Sequence, residues 1–448
     1  MFLPRIRSRT ILCAGLVLVC CLFSGCGEQP AAPLQAATVT RSTPAPPPLL
    51  ARPVEDVEEE PAPAVAEPNA NSKLPAYEIR MNARHLAAMD QNPYGEELYP
   101  ATFTAEGVTY ENVKIRYRGA WGRTWPKKPM KIFFNDDKPF KGQRRLNLNS
   151  SFRDPSFIRE TLAYHVYNIS GSPAPLSQVV RVHLNGKFRG LYVQVEQPDK
   201  AFMKRVEIKG ATMVKASSRM KVSDERPFRS LDEYRMHYEQ ENRKEEDIFP
   251  ELDKFCRELA QNGDALAFFE KHVDLEKYIN YLAATTLCQN WDGYNKNHFL
   301  VHDTKGSKKW FVIPWDLDRA IGDHWDWSFG RADLPIELGT QSSPAITGWN
   351  RMMDRFFSHP ELRRRLADRL QQLIEKEYTI EKLGPIIDQW SATISSDAAL
   401  DHKRWPNVQG MGWYRNDEES LEESMKVVKR FIEDRRKFVA SQLPKLRS

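Results

Sequence analysis

The stretch NWDGYNKNHFLVHDTKGSKKWFVIPWDLDRAIG, Asn290–Gly322, decides how the rest of the chain is read. His298–His302 and Trp310–Ile313 are short runs rich in aromatic and β-branched residues, the composition of strands. Thr304-Lys305-Gly306-Ser307 between them is a turn signal, so the pattern predicts a hairpin. Asp292, Asn295 and Asn297 precede the first strand, and Asp316 and Asp318 follow the second. A hairpin brings these two ends together. Carboxylates gathered this way repel one another, and a bound metal ion offsets the repulsion. His298 and His302 share a face of the first strand, but no third ligand type accompanies them. They read as packed or surface residues rather than metal ligands.

Just upstream, Asp274 reads as the N-cap of a helix running to about Gln289, with Leu275, Tyr278, Ile279, Leu282 and Thr286 on its buried side. Pro250–Leu259 and Asp264–His272 read as two further helices. Downstream, helices are expected near Asn350–Phe357, Glu361–Glu375, Ile380–Ala399 and Glu418–Leu443. Residues 217–247 are charged and irregular, an insertion or long loop. The first part of the chain reads differently. Tyr77–Met81, Thr102–Thr104, Val108–Tyr110, Val113–Arg118, Pro126–Phe134 and Arg144–Leu148 are strand-like, several with strict apolar/polar alternation. Val179–Leu184 and Leu191–Val195 flank Asn185-Gly186, a strong hairpin signal. One helix is expected to open at Asp154-Pro155-Ser156. Strands followed by helices argue an α+β fold. The expected organisation is bilobed: a strand-rich N-lobe at 77–200, and a mainly helical C-lobe at 201–448 carrying the hairpin 290–322. A cleft between two unlike lobes is a natural ligand site.

The chain has 448 residues, and its 11 Trp and 22 Phe are ample for a core of that size. Its formal charge is +5, and three of its cations (Arg5, Arg7, Arg9) lie in a leader, so the remainder carries about +2. That is no nucleic-acid footprint. Those arginines and the apolar run Ile11–Phe23 make residues 1–25 a bacterial secretory signal peptide. The run is short for a transmembrane helix, which needs about 20 residues. Ser24-Gly25-Cys26 resembles a lipobox, although Phe23 stands where Leu, Val or Ile is usual. Either Cys26 is diacylated and anchors the chain to a membrane, or the leader is simply cleaved nearby. Residues 26–76 are rich in Pro and Ala and read as a disordered spacer. Cys256 and Cys288 lie in apolar helical patterns and read as buried thiols rather than a bridge.

Five groups of residues, in this order, make the chain resemble the CotH kinase family, named for a spore-coat protein. They are Arg118-Gly119 with Pro126-Lys127-Lys128-Pro129; Leu146–Asn149 with Arg153-Asp154-Pro155; Asn185-Gly186 with Gly190-Leu191-Tyr192 and Glu196; Asn290-Trp291-Asp292 with Asn297; and Pro314–Asp318. The resemblance spans most of residues 77–445 and implies a protein-kinase-like fold that binds ATP and a divalent metal. It implies phosphoryl transfer to Ser or Thr of secreted or cell-envelope proteins, and the chain is expected to be a monomer. By it, Asp292 accepts the substrate proton; Asn297, Asp316 and Asp318 hold Mg²⁺; and Lys128 or Lys131 neutralises the donor phosphates. Arg118 and Gly119 shape a turn over the phosphates, and Glu196-Gln197 meets the base. Where relatives carry Ser or Thr soon after Arg-Gly, this chain has Ala120-Trp121-Gly122. From the residues themselves, Lys127, Lys128 and Lys131 read equally as solvated strand-face charges, and Asp316 and Asp318 as turn caps paired with Arg319. Two other functions fit the same residues: a catalytically inactive kinase-like surface binding or adhesion module, and a metal-dependent hydrolase.

Overall fold

The computed structural model describes residues 72–216, 222–326, 328–346, 348–406 and 420–448. The leader, Cys26 and the spacer to residue 71 lie outside the described residues, as do Trp327 and part of the approach to the last helix.

The strand-rich part consists of β1 (Ala76–Arg80), α1 (Ala83–Gln91), β2 (Tyr99–Ala105), β3 (Val108–Tyr117), β4 (Met130–Phe133), β5 (Arg145–Asn149), α2 (Arg159–Ile169), β6 (Ser177–Leu184) and β7 (Lys187–Val195). Its strands close into a barrel in the order β1-β2-β3-β4-β5-β7-β6. The closing pair is β1 with β6, which is parallel, while every other pair is antiparallel. Alternation explains the closure: Val113, Ile115 and Tyr117 of β3 and Met130 and Ile132 of β4 point inward, while Arg116 and Lys131 point out. The barrel core is a nest of aromatic edges, with Phe103 5.1 Å from Tyr77, 5.3 Å from Phe134 and 5.4 Å from Phe140, centroid to centroid.

The remainder runs α3 (Lys200–Arg205), β8 (Thr212–Ala216), α4 (Leu231–His237), β9 (Tyr238–Gln240), α5 (Phe249–Ala260), α6 (Ala265–His272), α7 (Leu275–Cys288), β10 (His298–His302), β11 (Trp310–Pro314), α8 (Arg351–Phe357), α9 (Pro360–Lys376), α10 (Ile380–Arg404) and α11 (Leu421–Arg447). The expected hairpin is β10 and β11, and it belongs to a four-stranded sheet in the order β11-β10-β8-β9. A second, larger core surrounds it, separate from the barrel core. The fold is α+β. Cys256 and Cys288 are buried free thiols. Among the described residues no helix is long and apolar enough to cross a membrane.

Several expectations are corrected. Val108–Tyr110 and Val113–Arg118 merge into one strand that ends at Tyr117, with a shift of register against β2 near Asn112, whose φ is 55°. The helix expected at Asp154 starts at Arg159, because the Asp154 carboxylate first folds Ser156 and Arg159 into a turn by accepting from their N–H groups. The segment expected to be irregular holds α4 and β9 outside its residues 217–221, which are not described. Helix α1 was not anticipated; Asn82 caps it by accepting from Arg84 N–H at 2.8 Å.

Candidate active site

The loop before β10 grows from a rigid mount. Helix α7 stops at Gln289, which takes a left-handed conformation, φ 51°. Its side chain then bridges two segments: Gln289 Nε2 donates to Arg331 O at 2.7 Å, and Leu334 N–H donates to Gln289 Oε1 at 3.2 Å. Buried Arg435 of α11 donates to Thr286 O, Ala332 O and Leu334 O at 2.8, 3.0 and 2.6 Å. One guanidinium thus donates to three carbonyls at the end of this helix and in the segment packed on it. Above this mount, Asn290 Nδ2 donates to Tyr167 Oη at 3.2 Å and Trp291 Nε1 to Asp323 O at 2.7 Å.

The hairpin register then joins the two acidic ends. His298 faces Pro314, and one step further out Trp315 N–H donates to Asn297 O at 3.0 Å. Asn297 and Asp316 are both left-handed, with φ of 58° and 59°. Asn297 Nδ2 donates to Asp292 Oδ2 at 2.9 Å, and Lys296 Nζ lies 2.8 Å from Asp292 Oδ1. With its NH₂ committed to Asp292, the Asn297 amide keeps its oxygen as the end available to a cation.

These residues form one wall of a cavity of about 780 Å³. Asp292, Asn297, Asp316 and Asp318 line it on the hairpin side; Arg118, Gly119, Trp121, Lys131 and Asn149 line it from the barrel rim, and Glu160 from α2. Burial, and then the Asp316 charge, push the Asp318 carboxyl up to about 8, against the pull of Arg319. Glu160 is raised well above the carboxylate range by burial and by Asp318 and Asp316, with Arg118 pulling the other way. Burial raises Asp292 as well, while Lys296 lowers it. Carboxyls that suppress one another's ionisation are what a hard divalent cation relieves. Two carboxylates and an amide oxygen suit Mg²⁺, which keeps water or phosphate oxygens in the rest of its shell. Among the described residues no group of three His, Cys, Asp or Glu is gathered tightly enough to form a cage by itself.

On the barrel side, Arg118 bonds Asn149 Oδ1, and its guanidinium lies 5.4 Å from the Trp315 ring, next to Asp316. Lys131 Nζ donates to Gln197 Oε1 at 3.1 Å; burial and the Arg118 charge lower its pKa to about 7.

Not every expected residue lies here. Lys128 does not line the cavity; it precedes β4, beyond Pro129, and its ammonium lies 5.7 Å from the Tyr117 ring. Glu196 is also elsewhere, paired with Arg205 at 2.6 Å and accepting from Leu176 N–H at 2.9 Å, while its neighbour Gln197 does line the cavity. Lys127 is no solvated charge: it is fully buried against Asp401 of α10. Arg153 and Arg319 line the cavity, although the sequence reading gave them no place in it, and so does Asp323, one residue past Gly322 in a loop readable as a substrate lip or as mere packing. The structure gives His298 to Glu225, 3.1 Å from Nε2, and stacks His302 on Trp310.

The family model described as CotH kinase protein matches residues 115–439, from β3 to α11. The chain belongs to the CotH kinase family. Two proteins of Bacillus subtilis (strain 168) are similar to it. Inner spore coat protein H is 26% identical over 382 residues, covering 83% of this chain and 98% of that protein. Inner spore coat protein H-like protein is 23% identical over 312 residues, covering 69% of this chain and 84% of that protein. The matched CotH segment contains every cavity residue named above.

Proposed function

We propose that this CotH-family chain is a Mg²⁺-dependent protein kinase that moves the terminal phosphoryl of ATP to a Ser or Thr hydroxyl of a secreted or cell-envelope protein. The observation that carries this is the single cavity in which Asp292, Asn297, Asp316 and Asp318 face Arg118 and Lys131. Phosphoryl transfer asks a protein mainly for positioning and charge balance, and these are the groups that supply both. The barrel then serves as the N-lobe and the α7–hairpin unit as the core of the C-lobe of a kinase-like arrangement.

Asn297, Asp316 and Asp318 would hold the metal. Bound there, Mg²⁺ would neutralise charge on the donor phosphates. Asp292 takes the proton of the attacking hydroxyl as the new O–P bond forms and the bond to ADP breaks. Asn297 and Lys296, each within 2.9 Å of an Asp292 oxygen, orient that carboxylate and favour its ionised form. Lys131 and Arg118 receive the polyphosphate from the barrel side. A diacylated Cys26, outside the described residues, would tether the enzyme to the non-cytoplasmic face of a bacterial membrane through the spacer expected at 26–76. The names of its relatives place them in a spore coat, which favours a structural surface protein as acceptor.

The test is transfer of label from γ-³²P-ATP with Mg²⁺ to a cell-envelope extract by the purified full-length chain. Asp292→Ala should reduce labelling by about 10²–10⁴-fold, the range for loss of a general base. Equal labelling by wild type and variant would refute the assignment. Absence of any Mg²⁺-dependent rise in melting temperature with ATP would instead favour a kinase-like binding module, since a ligand of the native state must stabilise it. Incorporation of labelled palmitate into wild type but not Cys26→Ser checks the anchor.

A further inference from the structure

We propose that Asp323 is a positioning residue that keeps this site assembled without modification of the segment after Asp318, an inference that rests on the phosphoryl-transfer reading above. Asp323 is 3% exposed and lies at the cavity wall. Its carboxylate sits between two guanidinium groups: Arg319 at 3.2 Å, from the turn that carries Asp318, and Arg153 at 3.7 Å, from the loop between β5 and α2. Its backbone carbonyl accepts from Trp291 Nε1 at 2.7 Å, and Trp291 is the residue before Asp292. Arg319 closes the circuit. Its guanidinium lies 5.0 Å from the Trp291 ring and donates to His324 O at 2.8 Å. Arg159, at the start of α2, holds the same turn by donating to Ile321 O at 3.3 Å.

One buried residue therefore ties three things together: its carboxylate joins the turn bearing the metal-side carboxylates to a loop of the barrel side, and its backbone carbonyl holds the tryptophan beside the proposed base. Burial raises the Asp323 pKa, and Arg319 and Arg153 draw it back. In kinases that are switched on by phosphorylation, a phosphate paired with arginines orders the segment that follows the metal-binding Asp. Here a side-chain carboxylate already occupies an arginine-flanked position in that segment. No added phosphate is needed to order it.

The experiment uses the full-length chain, with ATP turnover in Mg²⁺ as one readout and backbone hydrogen exchange as the other. Asp323→Asn keeps the shape and removes the charge. It should lower kcat by about 100-fold, the scale of a small misplacement of reacting groups, with KM for ATP little changed. Asp323→Glu should recover most of that loss. Exchange in peptides covering 289–297 and 316–326 should rise together by about tenfold in Asp323→Asn, with the barrel strands unchanged. Prior treatment of wild type with a broad-specificity phosphatase should leave its rate unchanged. The inference is overturned if Asp323→Asn turns over normally, if the two peptides exchange as in wild type, or if phosphatase treatment silences the enzyme. An inactive wild type whose two peptides still loosen together in Asp323→Asn would refute the kinase reading while leaving the coupling of these segments standing.

Discussion

Nucleotide binding should draw a proton onto Lys131. In the free protein this lysine is held down to about 7 by burial and by Arg118, so above that pH it is mostly neutral. A phosphate charge about 4 Å away, at an effective dielectric of about 20, attracts an ammonium by roughly 4 kcal/mol. That corresponds to about 3 pKa units, enough to return the lysine to its ordinary range. At pH 8 the free lysine is about nine-tenths neutral and the bound one charged, so binding should take up close to one proton; at pH 6 it should take up about 0.1 from this group. Titration calorimetry with AMP-PNP in buffers of different ionisation enthalpy measures the uptake directly. Affinity should weaken by about tenfold between pH 8 and 9. Lys131→Met should abolish the uptake at pH 8. Buffer-independent heats at pH 8, or a flat affinity profile, would refute the reasoning. The sign also fixes the stability of the free protein. Because the folded pKa lies below the unfolded value of 10.5, the unfolded chain binds more protons between about 7 and 10.5, and stability should rise with pH across that window. The cost of the buried charge is complete below about 7, so Lys131→Met should melt higher than wild type at neutral pH.

Other substitutions separate site from scaffold. Lys128→Ala should leave AMP-PNP affinity within about twofold, since its ammonium lies over Tyr117 rather than at the cavity; a loss like that of Lys131→Met would return it to the site. Lys127→Met removes the ammonium that faces the fully buried Asp401 and should cost roughly 3–5 kcal/mol in urea unfolding, against less than about 0.5 for exposed Lys114→Met. Phe103→Ala removes the ring that packs on Tyr77, Phe134 and Phe140, and should cost roughly 3–5 kcal/mol by the same measurement. At Asp316, with φ of 59°, Gly should be more stable than Ala by about 1 kcal/mol, yet both should lose the Mg²⁺-dependent part of the AMP-PNP melting shift.

The hairpin was legible because every signal for it is local: apolar runs, a turn between them and polar residues at both ends. The same holds for α7, whose Asp274 cap accepts from Lys277 N–H, and for the β6–β7 hairpin at Asn185-Gly186. What could not be read depends on partners remote in sequence. Lys127 reads as a strand-face charge because nothing near it announces Asp401, which lies on α10 and also accepts from Leu191 N–H at 2.7 Å. Strand β8 is a short run whose identity comes from pairing with β10, and the barrel closes through a parallel β1–β6 contact that no turn signals. Glu196 differs for another reason: it and Gln197 lie just past the end of β7, where Arg205, remote from any local signal, takes the Glu196 carboxylate while Gln197 lines the cavity. Helix α1 did carry a signal, the Asn82 cap, in a segment too short and polar for its periodicity to stand out.

Asn297 and Asp316 show why residue type at this site answers to backbone and chemistry together. They stand just outside matching ends of the β10–β11 ladder, joined by the bond from Trp315 N–H to Asn297 O. Had both strands continued extended, successive side chains would alternate across the sheet. The left-handed conformation at both positions ends that alternation. Glycine would adopt it without strain but bring no ligand, and a β-branched or long side chain would pay in strain. Asn and Asp tolerate the left-handed region better than other residues with side chains, and both carry oxygens suited to a hard cation. The two requirements select the same pair of residues. That is why a stretch readable only as a hairpin with polar ends could also be read as a site: the residues that let the backbone turn out of the ladder are those that give the turn its chemistry.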